Sequence, residues 1–271
     1  MTNSSCPIIV VPGAGGEELD PAIFATDAAE PPQIRTLRYP GWRRYVGDGF
    51  AGETLIADLA AQAIEMVPDG PIYIVGYSIG GHFGYALAQH LQAAGRDVQG
   101  FCAIDSFMIN PALPDPQWKR RVRARSVQLL RDGRIREFAR FLQSLLLGTI
   151  IRMMGGQISR RLRSLAASRG LRAFLNAVPS LESEIDMRLL IRSTAPWLAS
   201  LDQKAAPLKV PASLIRGRLS TSREAAWKRR CPDIEILETS GHHFDLFDAD
   251  NIKSFRAAFR SATQDWRTKI A

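Results

Sequence analysis

A serine set among glycines, Gly76-Tyr77-Ser78-Ile79-Gly80-Gly81, lies between a strand-like run and a helix-like run, and that placement constrains the fold more than any other feature. The preceding run, Pro71-Ile72-Tyr73-Ile74-Val75, is β-branched and aromatic, as a buried strand should be. The following run, from His82 to Leu91, reads as a helix. A G-x-S-x-G at such a junction turns too sharply for larger neighbours. It lifts the serine hydroxyl out of the turn and leaves the N–H of Ile79 at a helix N-terminus, where it can stabilise an oxyanion. A glycine-rich strand-to-helix turn without chemistry is the alternative.

The surrounding pattern suits such a turn. Strand-like segments at Ile8–Val11, Ile34–Arg38, Ile72–Val75 and Val98–Ile104 are interleaved with helix-like segments at Glu53–Val67 and Ile79–Ala94. The alternation resumes with Ala212–Arg216, a helix near Arg223–Arg229, Ile234–Leu237 and a last helix over Asp250–Ala262. Alternation of this kind predicts an α/β domain, a mostly parallel sheet flanked by helices.

From Trp118 to Leu201 no strand is convincing. Phe138, Phe141, Leu142, Leu145 and Leu146 recur at helical spacing, with Arg131, Arg134, Arg136 and Arg140 on the other side. Gly133, Gly148, Gly155-Gly156, Gly170 and Pro179 are expected to divide the segment into short helices. The reading is one domain over residues 1–271, interrupted by a helical insertion at about 107–205. Charge separates along the same line. Residues Phe107–Ser200 hold 17 Lys and Arg against 6 Asp and Glu, a net of +11, whereas the rest of the chain carries −3. So basic a segment attracts an acidic partner or forms a solvated face.

With 46% hydrophobic residues, a chain of 271 residues can bury a substantial core. Cys6, Cys102 and Cys231 show no metal-ligand spacing and no disulfide framework, which indicates a reducing compartment; Cys102 lies in an apolar run and reads as core. The first basic residue is Arg35, so the charged start of an export signal is missing. The best membrane candidate, Leu145–Ile151, is too short to span a bilayer. A cytoplasmic protein is expected.

A serine nucleophile needs a base, and the base needs an orienting acid. Of the four histidines, His82 and His90 fall on the helix after the turn and read as packing or surface residues. His242 and His243 follow the last strand, in Gly241-His242-His243-Phe244, where a base would reach the C-terminal edge of the sheet. Asp105 follows the buried run Gly100–Ile104 and occupies the same edge. The other entry point for an acid, the loop Gly217-Arg218-Leu219-Ser220-Thr221-Ser222, has no carboxylate nearer than Glu224, which favours Asp105. The loop after the first strand, Val11-Pro12-Gly13-Ala14-Gly15-Gly16, suits a second oxyanion donor and has neither the P-loop ending nor the dinucleotide spacing.

Together, Pro12–Gly16, Gly76–Gly81, Ile104-Asp105-Ser106 and Gly241–Phe244 resemble the thioesterase domains of nonribosomal peptide and polyketide synthases. The resemblance covers nearly the whole chain; in the helical insertion it rests on position and helical character alone. It implies an α/β-hydrolase fold with a helical lid, a Ser78–Asp105–His243 triad and an oxyanion hole from the N–H groups of Ile79 and Ala14. The family pattern gives the base role to the histidine preceding Phe, hence His243 over His242. The acid directly after the strand that follows the elbow helix, with a long insertion behind it, matches the chain-releasing branch; the editing branch has the acid one strand later. One departure is Arg38-Tyr39-Pro40-Gly41-Trp42, which resembles the Pro-Gly segment of editing enzymes.

The implied activity is release of an acyl or peptidyl chain from a carrier protein, with no cofactor of the chain's own. The phosphopantetheine belongs to the carrier. Carriers in such pathways are acidic, which would give the basic segment a use at Lys119, Arg120, Arg121 and Arg123. A general carboxylesterase or lipase and a non-catalytic binding protein of the same fold are the rival readings.

Overall fold

A computed structural model describes residues 7–16, 18–25, 32–106, 118–153, 164, 168, 170, 179–204, 206–218, 224–264 and 266. Six strands form one sheet: β1 (Ile8–Val11), β2 (Ile34–Thr36), β3 (Ile72–Tyr77), β4 (Val98–Ile104), β5 (Ala212–Gly217) and β6 (Glu235–Thr239). Their order is β2-β1-β3-β4-β5-β6, and every neighbouring pair is parallel. Each predicted strand is present, with β2 ending at Thr36 in place of Arg38, β3 extended to Tyr77, β5 to Gly217, and β6 running from Glu235 to Thr239. Because β2 and β3 lie on opposite sides of β1, the loops leaving β1 and β3 diverge there, a topology that opens a crevice at the strand ends.

The helices are α1 (Trp42–Tyr45), α2 (Gly52–Met66), α3 (Ile79–Ala93), α4 (Trp118–Arg131), α5 (Ile135–Met153), α6 (Pro179–Lys204), α7 (Glu224–Arg230) and α8 (Ile252–Ala262). A 3-10 turn at Pro21–Phe24 was not foreseen. Asp20 starts it by accepting the N–H of Ala22 at 2.8 Å, with Pro21 fixing the first φ.

The chain divides into two compact units. The sheet unit contains Met1–Tyr39, Ala51–Ile109 and Trp197–Ala271. Ile8, Val10, Tyr73, Val75, Cys102 and Ile104 from one sheet face pack with Phe24, Phe255, Phe259 and Trp266. On α3, a Cβ on Gly84 would come 3.3 Å from Ile74 and 3.4 Å from Phe101, so the helix lies close on the sheet. Cys102 and Cys231 are buried, and burial pushes both thiols upward, Cys231 to about 12.

The helical unit contains Pro40–Phe50 and Asn110–Pro196. It thus takes up the segment Pro40–Phe50, which precedes the predicted insertion, while the last turns of α6 fall in the sheet unit. Acidic residues of α6 bind α1: Asp186 accepts the N–H of Trp42, and Glu182 accepts the Trp42 indole N–H at 3.2 Å and pairs with Arg43 at 3.1 Å. One expectation needs correction. Gly148 does not end a helix but lies inside α5, where its missing side chain leaves room for the Arg188 guanidinium. Of the apolar residues of α5, Leu142 and Leu146 are exposed, as is Ile135, while Phe138 and Leu145 are half-buried, so the face that carries them by helical spacing is only partly covered. Gly133, with φ +66°, separates α4 from α5 as predicted, whereas Gly155-Gly156 and Leu219–Arg223 lie outside the described residues.

Candidate active site

The strand register brings the candidate residues together. Tyr77 pairs with Ile104, and Ile104 with Ile215, so Ser78, Asp105 and the end of β5 emerge side by side at one edge. All belong to the sheet unit.

Ser78 has φ 57° and ψ −125°, a conformation costly for any residue with a Cβ. It is held by its N–H bonding to Ile104 O at 2.8 Å and by Gly81 N–H bonding to Ser78 O at 3.1 Å. A Cβ on Gly76 would strike the backbone of Gly80 and Gly81; one on Gly80 would strike the carbonyls of Val11 and Pro12; one on Gly81 would strike Ser106. The turn is therefore possible only with these three glycines. Asp105 repeats the device on the next strand, with φ 45° and its N–H bonded to Ile215 O at 2.7 Å.

The Ser78 Oγ lies 3.0 Å from His243 Nε2, and His243 Nδ1 lies 2.7 Å from Asp105 Oδ2. Asp105 is fully buried, and its other oxygen accepts the N–H of Gly217 at 3.0 Å. A carboxylate oxygen accepts, so the imidazole donates its Nδ1–H to Asp105 and Nε2 is left to accept from the serine. Such a chain can move a proton from Ser78 to His243 while Asp105 holds the tautomer.

His242 points elsewhere. Its N–H donates to Asp245 Oδ1 at 2.7 Å, and its ring lies 3.1 Å from Asp245 Oδ2. Glu224 pairs with Arg216 at 2.7 Å. His82 is buried, stacked on Trp227 and 2.7 Å from an Arg230 nitrogen, while His90 is exposed. Phe244, 79% exposed, meets the His243 ring edge-on.

Ile79 is the first residue of α3, so its N–H has no acceptor within the helix. The β1 loop runs past the serine: a Cβ on Gly13 would come 3.6 Å from Ser78 Cβ, which places the neighbouring Ala14 close by. Among the basic candidates, Arg123 is exposed; the side chains of Lys119, Arg120 and Arg121 lie outside the described residues. Among the described residues, no cluster of His, Cys, Asp and Glu is arranged to hold a metal ion, and no helix is long and apolar enough to cross a membrane.

Sequence reasoning passed over Gly217, Asp245 and Tyr77. The Tyr77 hydroxyl donates to the His243 carbonyl at 2.6 Å. The only signal for it was its place as the variable residue inside the elbow motif.

The thioesterase domain family model matches residues 7–260. The chain belongs to the thioesterase domain family. The Vlm2 thioesterase domain, solved with a dodecadepsipeptide, superposes with a TM-score of 0.58 at 16% identity, over 97% of this chain and 94% of that one. The NocB thioesterase domain, solved as a covalent complex with a fluorophosphonate nocardicin G analogue, gives 0.57 at 18% identity over 96% and 95%. In the four-domain nonribosomal peptide synthetase AB3403, the match has a TM-score of 0.56 and 18% identity, over 96% of this chain and 19% of that one. Among curated proteins none matches. The fold is that of the α/β-hydrolases, and these thioesterase domains share it.

Proposed function

We propose that this thioesterase releases an acyl or peptidyl chain from the phosphopantetheine thioester of a carrier protein through an ester on Ser78. The observation that carries this reading is the hydrogen-bonded line from Ser78 through His243 to the buried Asp105, in a chain of the thioesterase family. Ser78 Oγ attacks the thioester carbonyl carbon and passes its proton to His243 Nε2; Asp105 stabilises the imidazolium. The N–H groups of Ile79 and Ala14 receive the developing oxyanion. Collapse breaks the carbon–sulfur bond, and the imidazolium proton leaves with the thiol. Water, or a hydroxyl or amine of the chain itself, then gives its proton to His243 and attacks the ester, freeing an acid or a ring and restoring the serine.

The chain-releasing branch is favoured over the editing branch by the position of the acid. Asp105 follows β4 and reaches His243, while the end of β5 contributes Gly217 N–H to Asp105. The acidic carrier is the proposed partner, docking on the basic segment that includes Lys119, Arg120, Arg121 and Arg123. A cytoplasmic setting belongs to the same proposal and rests on the sparse cysteines, whose number and spacing suggest no disulfide framework.

The test compares hydrolysis of a carrier-bound acyl thioester with that of the matching oxoester. Wild type should prefer the thioester, and Ser78→Ala should lose both turnover and fluorophosphonate labelling while staying folded. Oxoester preference would move the reading to a general carboxylesterase. Wild-type turnover by Ser78→Ala would end the covalent mechanism.

A further inference from the structure

We infer that Tyr77 is the positioning residue for His243, clamping the imidazole by its face and its backbone. This rests on His243 being the base. His243 lies in the irregular stretch between β6 and α8, just after Gly241 with φ +87°. Its bonds to Ser78 and Asp105 are made at its two ring nitrogens, whose N–H and lone pair point outward in the ring plane. Two such bonds fix the ring along the line through those nitrogens but leave it free to rock about that line. Rocking displaces the Cγ edge of the ring and its backbone attachment, which drags the two nitrogens out of line with their partners, and hydrogen bonds weaken as they bend.

Tyr77 opposes this motion at two points. Its ring lies nearly parallel to the imidazole, with centroids 5.3 Å apart and planes at 16°, and so blocks one face. Its hydroxyl donates to the His243 main-chain carbonyl at 2.6 Å, tying down the backbone that carries the imidazole. The strand period explains how it gets there: Tyr73, Val75 and Tyr77 share the face that packs on α8, while α3 leaves the elbow toward the other. Phe247 supports the Tyr77 ring at 5.2 Å. At Gly13 a Cβ would come within 3.1 Å of Tyr77 Cδ1, so the β1 loop also abuts the ring. The residue preceding the nucleophile thus touches both the loop beside the oxyanion and the loop of the base.

The test uses the full chain with a soluble acyl-pantetheine thioester, with Ser78→Ala as the inactive control. Tyr77→Leu removes both the stacked ring and the hydroxyl; kcat should fall about 30- to 100-fold with KM within about twofold, the scale of a small misplacement of a catalytic group. Tyr77→Phe keeps the ring and should recover most of that, falling only about three- to tenfold, as loss of one hydrogen bond implies. Fluorophosphonate should still label every molecule of each variant, but at a rate lowered in step with kcat.

Gly13→Ala should cost activity in the wild type and at least about threefold less in the Tyr77→Leu background, because the ring it meets is gone. Wild-type kcat in Tyr77→Leu overturns the inference. So does a loss accounted for wholly by a smaller labelled fraction, which is the mark of a merely structural role. If Tyr77→Leu does not fold, Tyr77→Phe decides: unchanged kcat at unchanged melting temperature overturns the backbone clamp. Full rates in both Tyr77 variants with an inactive Ser78→Ala would refute this inference alone, whereas an active Ser78→Ala would refute the proposed function beneath it.

Discussion

At the C-terminal edge of the sheet, side chains are held by backbone that has nowhere else to go. Ser78 and Asp105 keep positive φ angles because hydrogen bonds from neighbouring strands and three side-chain-free glycines enclose them. In the helical unit, α4 and α5 leave Val127, Leu130, Ile135, Leu142 and Leu146 exposed, and α1 is bound to α6 through acidic side chains. The contrast is between geometry fixed by main chain and geometry fixed by side-chain contacts that can adjust. Strained conformations persist only where the surroundings over-determine them, and here that place is the strand edge with the candidate triad.

The hardest blow to the comparison falls on the acid. Asp105→Asn keeps the shape of the side chain but replaces an acceptor oxygen by a possible donor, so His243 can take the wrong tautomer. Loss of about 10³- to 10⁴-fold in kcat is expected, with Glu224→Gln near wild type because that carboxylate pairs with Arg216. Steady-state assays on a soluble thioester suffice. An essential Glu224 and a dispensable Asp105 would remove the strand edge from the centre of the chemistry.

A pair of glycines tests the contrast directly. Gly76→Ala forces a Cβ into the backbone of Gly80 and Gly81, which cannot withdraw, and should cost about 3 kcal/mol in urea unfolding. Gly148→Ala meets only the guanidinium of Arg188, the end of a flexible chain, and gains up to about 1 kcal/mol of helix propensity. It should be near neutral. Equal costs at the two sites would erase the distinction between backbone-held and side-chain-held geometry.

The same distinction explains what could be read from the sequence. Strand positions were legible because burial on a parallel sheet demands continuous apolar runs such as Ile8–Val11 and Phe101–Ile104. Ser78 and Asp105 were legible because they end such runs. The choice between His242 and His243 was not fixed by the residues themselves; it came from the family resemblance. In the structure the two part company through Asp245, which binds His242 within one loop while His243 reaches Ser78 and Asp105. The role of Tyr77 was equally hidden, since its partner is 166 residues away in sequence. In the helical unit, apolar spacing foretold helices but not which faces would be covered, and Leu142 and Leu146 lie exposed.

If the charge of the helical segment serves docking, its effect should be confined to carrier-borne substrates. Replacing Lys119, Arg120, Arg121 and Arg123 by Gln should lower kcat/KM about three- to tenfold on an acyl-carrier protein at low salt and leave a soluble thioester within about twofold. Raising ionic strength should close the gap, because exposed charges act over about 10 Å at 0.1 M. Equal losses on both substrates would indicate a damaged helical unit; no loss on either would leave the four residues as a solvated face.

The smallest expected effect concerns Asp186, and its sign separates the two kinds of support. Burial raises its pKa above the ordinary carboxylate value, the Trp42 N–H bond lowers it, Glu182 raises it and Arg43 lowers it, with burial the largest influence. A carboxyl whose folded pKa is raised binds protons more tightly in the native state. Its contribution is therefore favourable at low pH and declines as pH climbs through the raised titration. Asp186→Asn keeps a carbonyl to accept the Trp42 N–H but never ionises. The variant should match wild type below about pH 4, the ordinary aspartate range, and become slightly the more stable toward neutrality, by no more than about 1 kcal/mol. Thermal unfolding across that pH range measures it. A variant less stable at neutral pH than wild type would mean that the charge, through Arg43, is what holds α1 to α6, and the helical unit would then depend on an ion pair in place of an adjustable hydrogen bond.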